Sequence, residues 1–326
     1  MTFAKKALLL TTLATLGAGT VASAAPTLNG AGATFPAPLY QRWFAELAQS
    51  DDTKVNYQAV GSGAGIRQFI AGTVDFAASD EPIKASEAAK VKRGVVQFPA
   101  VGGTIAIAYN KPGCDLKLTQ DQLASIFLGK ITDWSALKCG KGKITVAHRS
   151  DGSGTTFAFT NSLSAFSSQW KTKVGSGKSV QWPVGVGGKG NDGVAAVLNN
   201  TPGSIGYVNQ SFVTGALKAA ALQNKAGNFV KPGFRSGSAA LNTIVLDSNL
   251  AGEDFNPAGA QSYPITTLTW ILAYKNGNGP KARDLREVFH FMLNNKAQGL
   301  ADNLGYVPLR GDILSKAKAA AANVSR

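Results

Sequence analysis

Apolar and polar positions along this chain fall into a recurring order of short strands and amphipathic helices. Leu39, Trp43, Phe44 and Leu47 recur at helical spacing behind Pro36 and Pro38, which suit a helix start. Val55, Tyr57 and Ala59 then alternate with polar neighbours as a strand. The run Gly61-Ser62-Gly63-Ala64-Gly65 turns the chain into a helix faced by Ile66, Phe69 and Ile70, which Gly72 ends. Residues 74–78 read as a buried strand closing at Ser79-Asp80, so the unit predicts a crossover between strands of a parallel sheet.

The rhythm continues with a strand over 104–109 and a helix opened by Thr119 and Gln122 that carries Leu123, Ile126 and Phe127 up to Gly129. A strand over 144–147 leads into the motif that begins at Arg149, with a helix expected from Thr156. A helix over 194–198, a turn and strand over 203–208 and a strand over 266–274 follow. A helix over 280–294 shows Leu285, Val288, Phe289 and Met292 on one face, and an alanine-rich helix over 312–323 comes last. About 300 residues exceed what one core usually serves, so two α/β lobes are expected. Neither a tandem repeat nor a long low-complexity linker interrupts them.

The first 24 residues read differently, as a secretory signal peptide. Lys5 and Lys6 precede a mostly small, apolar run, and Ala22-Ser23-Ala24 is a cleavage site of the A-x-A kind. A single-pass anchor is the alternative, but Thr11, Thr12, Thr15, Gly17, Gly19 and Thr20 make the run weakly hydrophobic for a membrane span. No cysteine near the cleavage point suggests a lipid anchor. Without the leader's two lysines, 31 basic residues stand against 19 acidic ones, a net charge of +12. Only 16% of the residues are charged and no Lys/Arg run alternates with aromatics, so nucleic acid is not the expected partner. Such diffuse charge suits small anions or an anionic membrane surface, or reflects no more than a basic protein. Cys114 and Cys139, in an exported chain, suggest one disulfide worth about 3 kcal/mol; separated buried thiols are the alternative. With only His148 and His290 besides, no zinc-ligand spacing is present, and no metal or cofactor is expected.

The densest chemistry is Arg149-Ser-Asp-Gly-Ser-Gly-Thr-Thr-Phe157. Its glycines let successive N–H groups converge at a helix start, whose dipole and free donors favour an anion, and Arg149 adds charge-assisted bonds. An ordinary capped turn with a surface Arg149–Asp151 pair is the alternative. Two further turns, Gly30-Ala-Gly-Ala-Thr-Phe35 and Gly61-Ser-Gly63, place hydroxyls and bare N–H groups at helix starts in the same way. Three such turns favour one anion shared by several helix N-termini. Other motifs fail. Gly177-Lys178-Ser179 lacks the leading glycine of a nucleoside-triphosphate loop, which would fall on Thr172. Neither of the two earlier turns has the third glycine of a dinucleotide fold, and Asp151 stands where a serine-hydrolase elbow before Ser153 needs glycine. On an extended strand His148 points away from Arg149, which leaves Ser153 without a base.

These motifs, with Gly30-Ala-Gly-Ala-Thr-Phe-Pro-Ala-Pro38, Tyr57-Gln-Ala-Val-Gly-Ser-Gly-Ala-Gly65, Val74-Asp-Phe-Ala-Ala-Ser-Asp80, Phe127-Leu-Gly-Lys-Ile-Thr-Asp-Trp134, Gly187-Gly-Lys-Gly-Asn-Asp-Gly193 and Tyr263-Pro-Ile-Thr266, closely resemble the phosphate-binding proteins of bacterial phosphate ABC transporters. The resemblance runs from about Leu28 to Val307. It implies a type II periplasmic binding protein, α/β throughout, with two hinge crossings and the ligand in the cleft. Lobe 1 would hold 25–105 and 267–326, and lobe 2 would hold 106–266.

Carried over motif by motif, Thr34 and Phe35 bind phosphate from the first turn and Ser62 from the second. Arg149, Ser153, Gly154 and Thr155 donate from the other lobe, with Asp151 holding the Arg149 fork. Asp80 accepts the ligand's own proton; on its residue type alone it is equally a cap at a strand end. Phosphate near neutral pH keeps a proton and sulfate does not, so a buried carboxylate accepts from one and repels the other. Gly63 departs from members with a serine there, and His148 stands where another basic residue can precede the arginine. The resemblance further implies a periplasmic monomer that delivers inorganic phosphate to a membrane permease and catalyses nothing. A secreted phosphatase on the same pocket would need a paired nucleophile and base or metal ligands, which the chain lacks. An adhesion or signalling protein on the same fold is a third reading.

Overall fold

The computed structural model describes residues 27–50 and 53–326, so the predicted leader lies outside the described residues. The chain opens with β1 (Thr27–Gly32), α1 (Ala37–Ser50), β2 (Lys54–Ala59), α2 (Ser62–Ala71) and β3 (Phe76–Ser79). β1 lies between β2 and β3 and pairs parallel with both, so α2 is the expected crossover. Gly72 stops α2 in the left-handed region at φ +75°. After α3 (Ala85–Ala88) comes β4 (Val95–Asn110), much longer than the expected 104–109 strand. Pro99, Gly102 and Gly103 hide its first part from a hydrophobic pattern.

The middle of the chain supplies β5 (Lys117–Leu118), α4 (Gln120–Phe127), β6 (Thr145–Arg149), α5 (Gly154–Phe166), α6 (Ser168–Lys173), β7 (Val186–Gly188), α7 (Gly190–Asn200) and β8 (Ser204–Asn209). Then come β9 (Lys218–Ala219), β10 (Ala221–Gln223), β11 (Phe229–Val230), α8 (Phe234–Leu241) and β12 (Thr266–Tyr274). The last elements are α9 (Ala282–Met292), α10 (Asn295–Asn303), β13 (Tyr306–Val307) and α11 (Gly311–Ala321). Two helix starts lie earlier than expected: α5 begins at Gly154 rather than Thr156, and α7 at Gly190 rather than 194. Glycine-rich first turns carry no apolar signal.

The large sheet runs β2-β1-β3-β12-β4-β8-β6-β7. It is mixed rather than parallel, because β12 pairs antiparallel with β3 and β4, and β4 antiparallel with β8. β4 threads both halves: Val95 to Thr104 pairs with β12, and Ile105 to Asn110 pairs with β8. A second crossing lies beside it, where the Ile105 N–H donates to the Ile265 carbonyl at 2.9 Å. Trp43, Phe44, Phe76, Phe98 and Phe289 pack the first half; Phe127, Trp134, Phe159, Trp170 and Tyr207 pack the second.

The segment from α8 to β12 touches both halves. Leu241 fills the space left by the missing side chain of Gly102, and the Trp270 indole donates to the Leu250 carbonyl at 2.7 Å. Gln120 and Asn256 exchange hydrogen bonds, and Asn224 donates to the Ser262 carbonyl, on the other half. Cys114 and Cys139 form a disulfide, with Cα atoms 5.2 Å apart, which removes the alternative of separated thiols. Among the described residues no helix is long and apolar enough to cross a membrane.

Candidate functional site

The expected ligand groups meet where the two halves of the sheet face each other, and most sit just past the carboxyl end of a strand. In open α/β sheets that is where crossover loops leave room for a site. β1 feeds the turn holding Thr34 and Phe35, Asp80 directly follows the last residue of β3, and β6 ends at Arg149. Ser62 opens α2 and Ser153 caps α5. Thr34, Phe35, Ser62, Asp80, Arg149, Ser153 and Thr155 are all no more than 3% exposed.

The hydroxyls are oriented by what they accept. Ser62 Oγ accepts the N–H groups of Asp80 (3.3 Å) and Gly154 (3.1 Å). Thr34 Oγ1 accepts both the backbone N–H (3.0 Å) and the side-chain amide (2.9 Å) of Asn191. Ser153 Oγ accepts the Thr156 N–H at 3.0 Å as the cap of α5, and its own N–H donates to the Lys178 carbonyl at 2.9 Å. A hydroxyl has one proton and two lone pairs, so these three, occupied as acceptors, still offer the proton. Phe35 is fixed in its turn by the Tyr306 hydroxyl, which donates to its carbonyl at 2.7 Å.

Arg149 is held rigidly. Its Nε and Nη2 donate to the two oxygens of Asp151 at 2.7 and 2.6 Å, and Nη1 lies 3.4 Å from the Thr155 hydroxyl. Burial pulls the Asp151 carboxyl upward, but the Arg149 hydrogen bonds and charge outweigh it and hold the group below its ordinary range. The Gly190 N–H adds a third bond to Asp151 at 3.0 Å. The Arg149 N–H donates to the Tyr207 hydroxyl at 3.1 Å, and burial pushes that phenol up to about 12, so it stays protonated.

Opposite this cation stands Asp80. Its Oδ1 accepts from Thr269 at 2.8 Å and its Oδ2 from Thr155 at 3.3 Å. Burial pushes its pKa up to about 7, against the Thr269 hydroxyl, the Arg149 charge and the Thr155 hydroxyl, which all pull it down. The site therefore combines hydroxyl and guanidinium donors with one carboxyl acceptor poised near neutrality.

The two halves touch directly here. The Gly63 N–H donates to the Gly152 carbonyl at 2.9 Å, and a Cβ on Gly63 would stand 3.2 Å from that oxygen. A Cβ on Gly154 would come within 2.7 Å of the Asp80 backbone nitrogen, Asp80 Cβ and Ser62 Oγ. The serine-to-glycine departure at Gly63 thus falls at a close approach. His148 turns away, its ring stacked on Trp182 at 4.7 Å. No group of three or more His, Cys, Asp or Glu among the described residues is placed to hold a metal ion.

Two side chains of the site escaped sequence reasoning. Asn191 bridges Thr34 and Thr155, donating to the latter at 3.2 Å, while its carbonyl accepts the Asn209 N–H at 2.9 Å. Its signal was Gly187-to-Gly193, a fourth glycine-rich turn between a strand and a helix. Thr269 holds Asp80; its only mark was a polar residue in a nine-residue strand that is buried throughout.

A family model described as a PBP superfamily domain matches residues 17–297. The chain is 43% identical to the phosphate-binding protein PstS of Pasteurella multocida over 97% of this chain and 95% of that protein. It is also 43% identical to PstS of Haemophilus influenzae, over 90% of this chain and 92% of that one. The fold matches a high affinity periplasmic phosphate-binding protein (PfluDING) bound with phosphate, at TM-score 0.75 and 24% identity, over 90% of this chain and 93% of the other. A phosphate binding protein from Stenotrophomonas maltophilia matches at TM-score 0.73 and 22% identity, over 90% and 94%. With a match that spans most of the chain and relatives this similar from end to end, the chain belongs to the PstS phosphate-binding proteins of the PBP superfamily.

Proposed function

We propose that this chain is the extracytoplasmic receptor that binds inorganic phosphate with high affinity between its two lobes and delivers it to an ABC permease for import. The observation that carries this reading is the opposition of a rigid, Asp151-clamped Arg149 and three proton-offering hydroxyls to the single carboxyl of Asp80. Thr34, Ser62 and Ser153 donate hydroxyl protons, Phe35 and Thr155 donate backbone N–H groups and Arg149 donates from its guanidinium to phosphate oxygens, while the Gly154 N–H, bonded to Ser62 Oγ, turns that hydroxyl's proton toward the ligand. Asp80 accepts the proton that phosphate keeps and sulfate lacks. Bonds to a charged partner contribute about 1.5–3 kcal/mol each, so several of them, set against desolvation, reach the roughly 8 kcal/mol of micromolar binding.

The protein works in the periplasm as a monomer and catalyses nothing, a reading supported by Ser153, whose hydroxyl caps α5 and has no histidine beside it. Lobe 1 comprises 25–105 and 267–326 and lobe 2 comprises 106–266, with residues 234–251 of the latter lying against lobe 1. The PBP superfamily is one of substrate-binding proteins, which supports the non-catalytic reading. Calorimetry with phosphate and sulfate tests it: tight phosphate binding with sulfate excluded, and a narrowed gap between them in Asp80→Asn. Equal affinities for both anions in the unmodified chain would refute the assignment of Asp80. Turnover of a chromogenic phosphoester would refute the non-catalytic reading.

A further inference from the structure

A second set of charges spans the cleft outside the anion site. Lys178 belongs to the second half, because its carbonyl accepts the Ser153 N–H at 2.9 Å. Its ammonium reaches the first half, 2.5 Å from Glu81 Oε2 and 3.3 Å from Glu87 Oε1. Glu81 directly follows Asp80, and its side chain is 3% exposed. Its other oxygen lies 3.2 Å from Lys84, whose side chain is 59% exposed. Glu253 also faces Glu81; its Oε1 has no hydrogen-bond partner, and burial together with the Glu81 charge pushes its pKa up to about 8. In the closed cleft a cation from the opposite half therefore sits on Glu81 and Glu87, with a third carboxyl, Glu253, within reach of the Glu81 charge.

Resting on the phosphate reading above, we propose that Lys178 is a latch: its pairing with Glu81 and Glu87 across the cleft holds the closed form and sets how slowly phosphate leaves. A buried carboxylate that loses its partner is costly, whereas one returned to water is not. Opening rehydrates Glu81, so the pairing weighs on the closed form alone. The latch therefore acts on release rather than capture, since capture begins from the open form.

Stopped-flow kinetics of phosphate binding to Lys178→Met tests this. Release is expected at least tenfold faster than in the unmodified chain, with the association rate within twofold. Adding Glu81→Gln to that variant removes the stranded carboxylate and is expected to slow release again. Release within twofold of the unmodified chain, or equal losses in both rates, overturns the latch. Should Lys178→Met fail to fold, Glu87→Gln is expected to speed release twofold to fivefold, and an unchanged rate overturns the proposal. If the unmodified chain does not bind phosphate, the phosphate reading falls, and small-angle scattering of the ligand-free proteins decides the latch alone, through the share of molecules, below half, that the pairing keeps closed without ligand. A larger radius of gyration in Lys178→Met supports it, and equal radii overturn it.

Discussion

Asp80 faces opposing demands, and they predict how stability varies with pH. Its carboxyl ionises near 3.8 when unfolded and near 7 when buried in the ligand-free protein. Below about pH 4 it is protonated in both states, and its burial carries no charge penalty. Between those values the unfolded chain releases the proton and the folded one keeps it, so stability falls as pH rises by up to about 1.4 kcal/mol per unit. Above pH 7 the penalty is fully present. Thermal melts of the ligand-free protein from pH 5 to 8 are thus expected to decline less steeply for Asp80→Asn; parallel curves would reject the shift. Arg149 acts through affinity instead. Arg149→Ala is expected to weaken phosphate binding at least tenfold, about 1.4 kcal/mol, by calorimetry. An unchanged dissociation constant would remove Arg149 from the site.

Among the elements, glycines at helix starts separate folding from closure. Gly65 in α2 packs within its own half, where a Cβ would stand 2.4 Å from Gly32 Cα, so Gly65→Ala is expected to lower unfolding free energy by about 1–3 kcal/mol. The three atoms nearest a Cβ on Gly154 all belong to the opposite half, at 2.7 Å. In Gly154→Ala, phosphate affinity is expected to fall at least tenfold, while denaturant unfolding of the ligand-free protein moves by no more than about 0.5 kcal/mol. A loss of stability matching that of Gly65→Ala would contradict this division. The same turns explain what was legible in the sequence. Strands and helices with an apolar period, such as α2 and β12, are plain, and the turns at Thr34, Ser62 and Arg149 announce their chemistry by residue type. The first part of β4 and the early start of α7 are not plain, because proline and glycines break the apolar pattern there, and the roles of Asn191 and Thr269 are not, because they depend on which segments meet across the sheet. Asp80 sits between these cases: its place at a strand end is visible, but its poise near neutrality comes from burial by groups as distant in the chain as Thr269.

For the molecule as a whole, the disulfide and the crossings act on different properties. The Cys114–Cys139 bridge lies beyond the end of β4 at Asn110, away from the crossing at Ile105. Replacing both cysteines with serine is expected to cost about 3 kcal/mol in unfolding while leaving phosphate affinity within twofold; a tenfold affinity loss would tie the bridge to the site. The position of β12 has a separate consequence. It fills the gap between β3 and β4 in the first half of the sheet, yet it is made long after both. As the chain emerges from ribosome or translocation pore, its inserted half can fold while the half holding its beginning still waits for a central strand. Until residue 274 has emerged, β3 and β4 carry bare edges open to other chains, so the wait for β12 is the span in which a holding chaperone would matter most.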